Sequence, residues 1–490
     1  MTLEERVIAW LASQNVDAYL VGGCVRDRLL NRPISDLDVS IAGDGCALAR
    51  RLADCFGADY YTLDGDRGTG RAILRSEDGE RLYVDVVRFR GGNLTKDLAG
   101  RDFTINALAT DVAFPEVVID RHGGLADLEA GLIRPVSDDA IRDDPLRALR
   151  AIRLAAHLDF ALAEETKELI RRDGAALADV AAERICDELS KLLACTSSSP
   201  FLYELDRLGL LGAILPELEP LRELEQSPPH RYRALKHTLE SVRALEILLA
   251  AIGCAPAGRN ASDVAVIAGG LYLGDLPAHA AQLRQHLGSV LGGERPRVVL
   301  LKLALLLHDA GKPGTQSVEE GGRIRFLRHE DVGSKMAGEA LARLRFGSAE
   351  VRLVECIVRN HMRPLLLASQ DEVSSRAVYR FFRDTGDVGI DIVLHALADH
   401  LAIHAFEAEA SGWHHLVDLG TRMLDYYSVR GGKLARDPAL LTGRDLLHEF
   451  GLQPGPQIGE LLEAVREAQA IGEVQTRAEA MSLVTRLLAE

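Results

Sequence analysis

The sequence predicts an α+β protein: an N-terminal mixed α/β head, then a mostly α-helical neck, a helical histidine-rich domain and a helical tail. Three observations carry this. At 490 residues the chain is too long for a single core. Short apolar strands alternate with amphipathic helices only over residues 1 to about 137. From "DDPLRALRAIRLAAHL" onward Leu, Ala, Glu and Arg recur at helical spacing, and aromatics make up only 5%. The expected segments are 1–137, 138–225, 226–420 and 421–490. Gly, Pro and Ser cluster into breaks at "CTSSSP" (195–200), "QSPPH" (226–230) and "GCAPAGRNAS" (253–262).

Within the head, "AYLVGG" reads as a strand that ends on Gly22 and Gly23, and "CVRDRLLN" as the helix that follows. "SDLDVSIA" is a strand, "CALARRLADCFG" a helix, and "RLYVDVVRFR" a strand with alternating apolar positions. Two helical blocks follow, the second rich in histidine between about 231 and 420, and a last segment opens at "LLTGRDLLHEFGLQPGPQIG". No tandem repeat or long low-complexity tract interrupts them.

Bulk properties narrow the function. Seven cysteines with no CxxC pair argue against a disulfide framework or a zinc finger, so the reducing cytoplasm is the expected compartment. The start "MTLEERVIAWLASQ" is charged and amphipathic rather than a signal peptide, and no apolar run reaches membrane-spanning length. A net charge of -16 excludes a general DNA-coating protein but leaves room for a local basic track.

The chemistry concentrates in "YLVGGCVRDRLLNRPISDLDVSI". Asp36 and Asp38 alternate with Leu37 and Val39, so on a strand both carboxylates share one face. Like charges that close repel unless a cation lies between them, and Mg²⁺ takes a few carboxylates plus water and phosphate oxygens. Gly22 and Gly23 precede a helix whose free N–H groups and dipole favour an anion, and Arg26 one turn in can add a charge-assisted contact to a phosphate. Asp85, between Val84 and Val86, is either a third acidic ligand or the partner of Arg88 or Arg90 in an ion pair; both readings stay open.

"LVGGCVRDRLL…SDLDVSI" resembles the first motif of the class II tRNA nucleotidyltransferase and bacterial poly(A) polymerase superfamily. Four further motifs arrive in that family's order: "DLAGRDFTINALA", "DRHGGLADLEAGLIRPV", "DDPLRALRAIRLA" and "AERICDELSKLL". The resemblance implies a nucleotidyltransferase head and roles for matched positions. Asp36 and Asp38 hold Mg²⁺, with Asp85 as a third catalytic candidate. Gly22, Gly23, Arg26 and Asp27 shape the triphosphate site. Arg101, Asp102 and Asn106 lie near the nucleotide's sugar and phosphates, and Asp143 and Arg150 flank the base site. Asp144 and Arg147, on one helix at i and i+3, read the Watson–Crick edge of CTP or ATP in place of a template; the alternative is a surface ion pair. Two departures stand out: Asp143 replaces the family's Glu, and Gly100 its first arginine, which is expected to loosen the loop around Arg101.

A larger departure is an absence. Only "GGNLTK" (91–96) separates "VVRFR" from the next motif, where CCA-adding members of the family carry a flexible loop of roughly two dozen residues. Six residues give a hinge little spare chain. In the family, loss of this loop marks enzymes that stop after two C residues and leave the terminal A to a separate A-adding enzyme. The alternative is that "DGDRGTGRAIL" (64–74) takes over its role.

"LALLLHDAGKP" places His308 and Asp309 side by side at the end of an apolar helix, a pairing of imidazole and carboxylate suited to a metal. With His237, Asp399, His329 and His361 in order, the block resembles the HD phosphohydrolase superfamily. The resemblance implies a second divalent metal on His237, His308, Asp309 and Asp399, with His329 and His361 assisting. The implied activity is hydrolysis of phosphomonoesters or 2′,3′-cyclic phosphates; the alternative is a helical scaffold with a decayed site. The tail resembles the segment that contacts the tRNA elbow in the same nucleotidyltransferases, and Arg142, Arg147, Arg150 and Arg153 are candidates for a basic track. The expected partners are tRNA, CTP and ATP, with no membrane and no DNA. Competing readings are a poly(A) polymerase, an HD phosphohydrolase whose N-terminal part only binds nucleotide, and a non-catalytic tRNA-binding module.

Overall fold

A computed structural model describes residues 1–489 apart from 67, 77, 294, 408–411 and 431–438, so the expected tail segment 421–490 lies partly outside the described residues. The chain divides into two compact units. The first comprises Met1–Leu192 with Glu204–Ile214, and the second Leu193–Tyr203 with Leu215–Glu490. Residues expected in the head and most of the neck fall in the first unit.

The first unit is built on a seven-stranded sheet of β1 (Ala18–Val21), β2 (Asp36–Ile41), β3 (Asp59–Asp64), β4 (Thr69–Arg75), β5 (Arg81–Arg88), β6 (Leu108–Asp111) and β7 (Phe114–Asp120), in the order β3-β4-β5-β2-β1-β6-β7. β2 and β5 run parallel at its centre and their named neighbours pair antiparallel. Strands β1, β2 and β5 lie where the alternation of apolar residues places them. The alternation also sets the register: Leu37, Val39, Val84 and Val86 are fully buried in the core with Val7, Leu11, Leu48 and Leu52. That core draws on α1 (Leu3–Ala12) and α3 (Gly45–Phe56) and leaves Asp36 and Asp38 on the opposite face of β2. A slip of one residue would bury both carboxylates.

α2 (Gly23–Leu29) follows β1 directly, and α4 (Leu94–Ala99) follows β5. α5 (Gly124–Ala130) is capped by Asp120, whose carboxylate accepts from the N–H groups of His122, Gly124 and Leu125 at 2.9–3.0 Å. The motif "DRHGGLADLEAGLIRPV" is therefore scaffold, with Asp127 accepting from Thr104 Oγ1 at 2.7 Å and Arg134 Nε at 3.0 Å. Past the sheet come α6 (Ala140–Asp143), α7 (Leu146–Leu158), α8 (Glu164–Asp173) and α9 (Ala182–Ala194). Strands β3, β4, β6 and β7 had no reading of their own in the sequence. β4 runs through "DGDRGTGRAIL", so the part of that segment from Thr69 onward is sheet rather than spare loop.

The second unit is helical apart from a short hairpin (Gln316–Val318 with Ile324–Phe326) among the described residues. Helices Ala234–Ala251, Arg297–Leu307, His329–Arg343, Ser348–Asn360 and Val388–Ile403 bury apolar side chains and carry the histidine block inward. A separate small core around Leu446, Leu461, Val465, Ala480 and Val484 closes the C-terminal helices. Ion pairs Arg376–Glu473, Arg380–Glu467 and Arg383–Glu463 (2.6, 3.0 and 2.8 Å) tie these to helix Ser375–Thr385.

Candidate active site and a second metal centre

A cleft of about 1220 Å³ in the first unit is lined by Asp38, Asp85, Arg101, Asp143, Asp144, Arg147 and Arg184, among others. At one end Asp38 and Asp85 face each other across the parallel pair β2–β5. Burial pushes the Asp38 carboxyl up to about 6, opposed by Arg101 and reinforced by Asp85 and Asp36. Asp36 accepts from Ser35 Oγ at 2.7 Å. Asp85 takes both oxygens to Arg71, bidentate at 2.7 Å, so its ion-pair partner is Arg71 on β4 rather than Arg88 or Arg90. Arg71 is the residue directly opposite Asp85 in the β4–β5 register. With Asp85 turned to Arg71 and Asp36 to Ser35, the three carboxylates do not close to metal-ligand spacing among themselves.

Gly22 sits at φ +80°, and a Cβ there would stand 2.6 Å from Arg101 Nη1, so the glycine makes room for that guanidinium beside the Asp38 end of the cleft. Arg101 Nη2 is held by the buried Asp97 at 3.2 Å. The matched residues Asp27, Arg26, Asn106, Asp102 and Arg150 form one hydrogen-bonded chain. Arg26 Nε and Nη2 donate to both oxygens of Asp27 at 2.9 and 2.8 Å, and its Nη1 to Asn106 Oδ1 at 2.7 Å. Asn106 donates to Asp102 at 3.1 Å, and Arg150 bridges Asp102 (3.4 Å) to Glu188 (3.0 Å), which Arg153 also reaches at 2.9 Å. Arg26 thus has its bidentate edge on Asp27, and it shapes the turn rather than offering that edge to a phosphate. The candidate basic track is likewise paired: Arg150 and Arg153 with Glu188, and Arg142 with Asp139 at 2.6 Å.

Asp144 and Arg147 reach the cleft, but not from one helix. Pro145 disfavours helical geometry in the residue before it, and Asp144 has φ -150°, ψ 99° between α6 and α7. Its carboxylate accepts from Leu146 N–H at 3.3 Å and from Arg184 Nη2 at 2.7 Å. Arg147 points into the preceding loop, donating to the carbonyls of Gly100 (2.8 Å), Ala140 (3.2 Å) and Arg101 (3.4 Å). Gly100 O also accepts from Arg90 Nη1 at 3.1 Å, so the glycine that was expected to loosen this loop lies where two arginines clamp it.

In the second unit, His237, His308 and Asp399 present ligand atoms within 4.8 Å of one another, as do Asp309, His329 and His361, all six residues buried. His237, distant from its partners in the sequence, has Nε2 2.9 Å from Asp399 Oδ1. The Nδ1 atoms of His308, His329 and His361 lie 2.8, 2.8 and 2.6 Å from the carbonyls of Leu305, Phe326 and Val358, which fixes the rings and turns Nε2 inward. Burial opposes ionisation of Asp309, yet His308 and Lys312 hold its carboxyl well below the usual range. Asp309 Oδ1 and His237 Nδ1 are buried without a hydrogen-bond partner, and the contact of Asp399 Oδ1 with His237 Nε2 pairs two groups that can both ligate a metal, a deficit and an arrangement that a divalent cation would satisfy. Lys312, 2.7 Å from Asp309, and the fully buried His395, its ring 5.1 Å from that of His308, also belong to this cluster. A lone histidine on an apolar helix gives no sequence signal, which is why His395 was not foreseen. Among the described residues no helix is long and apolar enough to cross a membrane.

Four family profiles match along the chain. A poly(A) polymerase head domain matches residues 18–134, the profile described as a probable RNA- and SrmB-binding site of polymerase A 159–222, an HD domain 278–402, and the profile described as tRNA nucleotidyltransferase domain 2 (putative) 436–484. The CC-adding tRNA nucleotidyltransferase of Geobacter sulfurreducens is 33% identical over 96% of this chain and 91% of its own. That of Thermus thermophilus is 34% identical over 96% and 93%, and the A-adding tRNA nucleotidyltransferase of Deinococcus radiodurans 32% identical over 96% and 95%. Among solved structures, a Thermotoga maritima CCA-adding enzyme complexed with tRNA superposes with a TM-score of 0.62 at 20% identity, covering 99% of this chain and 95% of that one. A CCA-adding enzyme with ATP superposes at 0.66 and 20%, covering 99% and 95%.

Proposed function

This chain belongs to the tRNA nucleotidyltransferase family, and from that premise we propose that it adds C residues to the 3′ end of tRNA, using CTP and releasing pyrophosphate. The observation that carries the proposal is the shared cleft, whose wall brings Asp38 and Asp85 together with Asp144, Arg147 and Arg184. This pairs phosphoryl-transfer groups with base-recognition groups. The tRNA 3′-hydroxyl attacks the α-phosphate, the bond to the β-phosphate's bridging oxygen breaks, and the proton leaves with solvent. Asp36 and Asp38 are the residues that would hold Mg²⁺, which supplies activation of the hydroxyl and neutralisation of the leaving pyrophosphate. Asp85, fixed by Arg71, sets the field at Asp38, and Arg101 adds positive charge beside the phosphates. Gly22, Gly23, Arg26, Asp27, Asp102, Asn106, Asp143 and Arg150 shape the pocket around the triphosphate, sugar and base.

We keep the four segments 1–137, 138–225, 226–420 and 421–490 as head, neck, HD domain and tRNA-binding tail, and place the protein in the cytoplasm, where tRNA and nucleotides meet. Labelled CMP is expected to appear on tRNA transcripts that end at the discriminator base, only with Mg²⁺ present. Long AMP runs on unrelated RNA would instead favour the poly(A) polymerase reading.

The second metal centre is proposed to bind a divalent cation on His237, His308, Asp309 and Asp399, with His329 and His361 extending it toward a second ion or a phosphate. Asp309→Ala and His308→Ala are each expected to weaken metal binding by at least ~100-fold, since even outer-shell changes reach that. Elemental analysis after gel filtration reads this out, with phosphomonoester and 2′,3′-cyclic nucleotide turnover as a second readout. Metal content unchanged in both variants would mean that the cluster is a scaffold.

A further inference from the structure

Of the arginines that line the cleft, Arg88, Arg90 and Arg184 lie outside the positions matched to the nucleotide site, and of these Arg184 is paired with Asp144. Arg184, in the first turn of α9, is half-exposed on the cleft wall, and its Nη2 lies 2.7 Å from Asp144 Oδ2. We propose that Arg184 is a positioning residue for base selection: it aims the Asp144 carboxylate so that the site accepts a hydrogen bond from the exocyclic amino group of cytosine. The inference rests on the base-reading role given to Asp144 above.

Geometry leads to it. Asp144 stands on extended backbone between two helices, and without contacts its side chain would sample several rotamers. Two groups pin it: Leu146 N–H on Oδ1 at 3.3 Å and Arg184 on Oδ2 at 2.7 Å. The backbone contact is long, so the short one sets the orientation. A carboxylate has about four acceptor positions, and these two bonds leave acceptor capacity on each oxygen for the cleft. Arg147, which the motif pairs with Asp144, cannot do this work here, because its guanidinium is spent on the carbonyls of Gly100, Arg101 and Ala140. Burial works against ionising Asp144, and the Arg184 hydrogen bond and charge outweigh it and hold the carboxyl below its usual range. The group therefore stays an acceptor only, as selection of an amino donor requires. Uracil, which places a carbonyl oxygen where cytosine has its amino group, meets a carboxylate acceptor to acceptor.

The test uses the full chain and a tRNA transcript ending at the discriminator base, with CTP and UTP as competing substrates. Arg184→Ala is expected to lower the preference for CTP over UTP by about 10-fold or more. It is expected to raise KM for CTP more than it lowers kcat, and to leave the melting temperature in place, since a half-exposed ion pair contributes little stability. Arg184→Lys, which keeps one charged donor, should recover part of the preference. Asp144→Ala should lose the preference as well, and the double variant should be no worse than Asp144→Ala alone. An unchanged CTP-to-UTP ratio in Arg184→Ala, or additive losses in the double variant, would overturn the role of Arg184. An unchanged ratio in Asp144→Ala would overturn the base-reading role itself, and the two failures are thus separable.

Discussion

Asp38→Asn is expected to abolish CMP transfer and yet to make the metal-free protein more heat-stable. The loss should reach at least ~10³-fold in kcat if Asp38 holds the metal as proposed, because a bound metal contributes several kcal/mol of transition-state charge stabilisation. The gain follows from the sign of the Asp38 shift. Its carboxyl is pushed up to about 6 from an ordinary value of 3.8, first by burial and then by Asp85 and Asp36. The folded state therefore holds this proton more tightly than the unfolded chain does. Stability contributed by the protonated form is present below pH 4 and is lost as pH rises through about 6. At pH 7 in chelator the ionised group opposes folding, and the neutral amide removes that opposition. An increase in Tm of roughly 2–4 °C is expected at pH 7, shrinking toward zero at pH 4, while Mg²⁺ narrows the gap by stabilising only the native carboxylates. Differential scanning fluorimetry across pH, with and without Mg²⁺, checks all three. A lower Tm for Asp38→Asn in chelator would mean that the carboxylate is held by partners rather than waiting for a cation.

How far the sequence could be read depends on whether a feature is local. The Asp36-x-Asp38 pair was legible because strand alternation alone puts both carboxylates on one face. The partner of Asp85 was not, because Arg71 reaches it through the β4–β5 register, which no local pattern reports. The break at Asp144 was legible in principle: a proline at 145 argues against helix in the residue before it, and the helical periodicity of "DDPLRALRAIRLA" masked that signal. Glu188 and Arg184 lie within a recognised motif, but their partners Arg150, Arg153 and Asp144 sit 35 to 40 residues earlier, so their roles appear only in three dimensions. In the histidine block the set His237, His308, Asp309 and Asp399 came from the resemblance to the HD superfamily, because separations this long carry no local pattern. The structure gathers the residues into two buried groups, His237 with His308 and Asp399, and Asp309 with His329 and His361.

Product length gives the second large effect. A transcript ending at the discriminator base should be extended to CC and stop there with ATP present, and A addition to a CC end should be at least ~100-fold slower in kcat/KM than C addition. That is the cost of holding a reacting group about 1 Å from its productive position. The relatives do not decide this, since CC-adding and A-adding enzymes resemble the chain almost equally at 33%, 34% and 32% identity. The expectation rests on segment 91–96. Gly91 and Gly92 turn the chain at φ +62° and +83°, and Asn93 already caps α4, its side chain accepting from Lys96 N–H at 2.9 Å. Both flanks are fastened: Arg90 N–H donates to Asp97 at 3.1 Å, and Arg90 and Arg147 both donate to Gly100 O. Reorienting the residues proposed to read the base from CTP to ATP would require this short connection to give way, and only Gly91 and Gly92, themselves in a 3-10 turn, lie outside α4 and its cap. A primer ending in CC that accepts A efficiently while the shorter primers accept no C would identify an A-adding enzyme. A full CCA end would show that another part of the cleft supplies the movement. A halt at CC makes a separate A-adding enzyme a requirement of the cell, because a tRNA ending in CC lacks the adenosine to which the amino acid is joined.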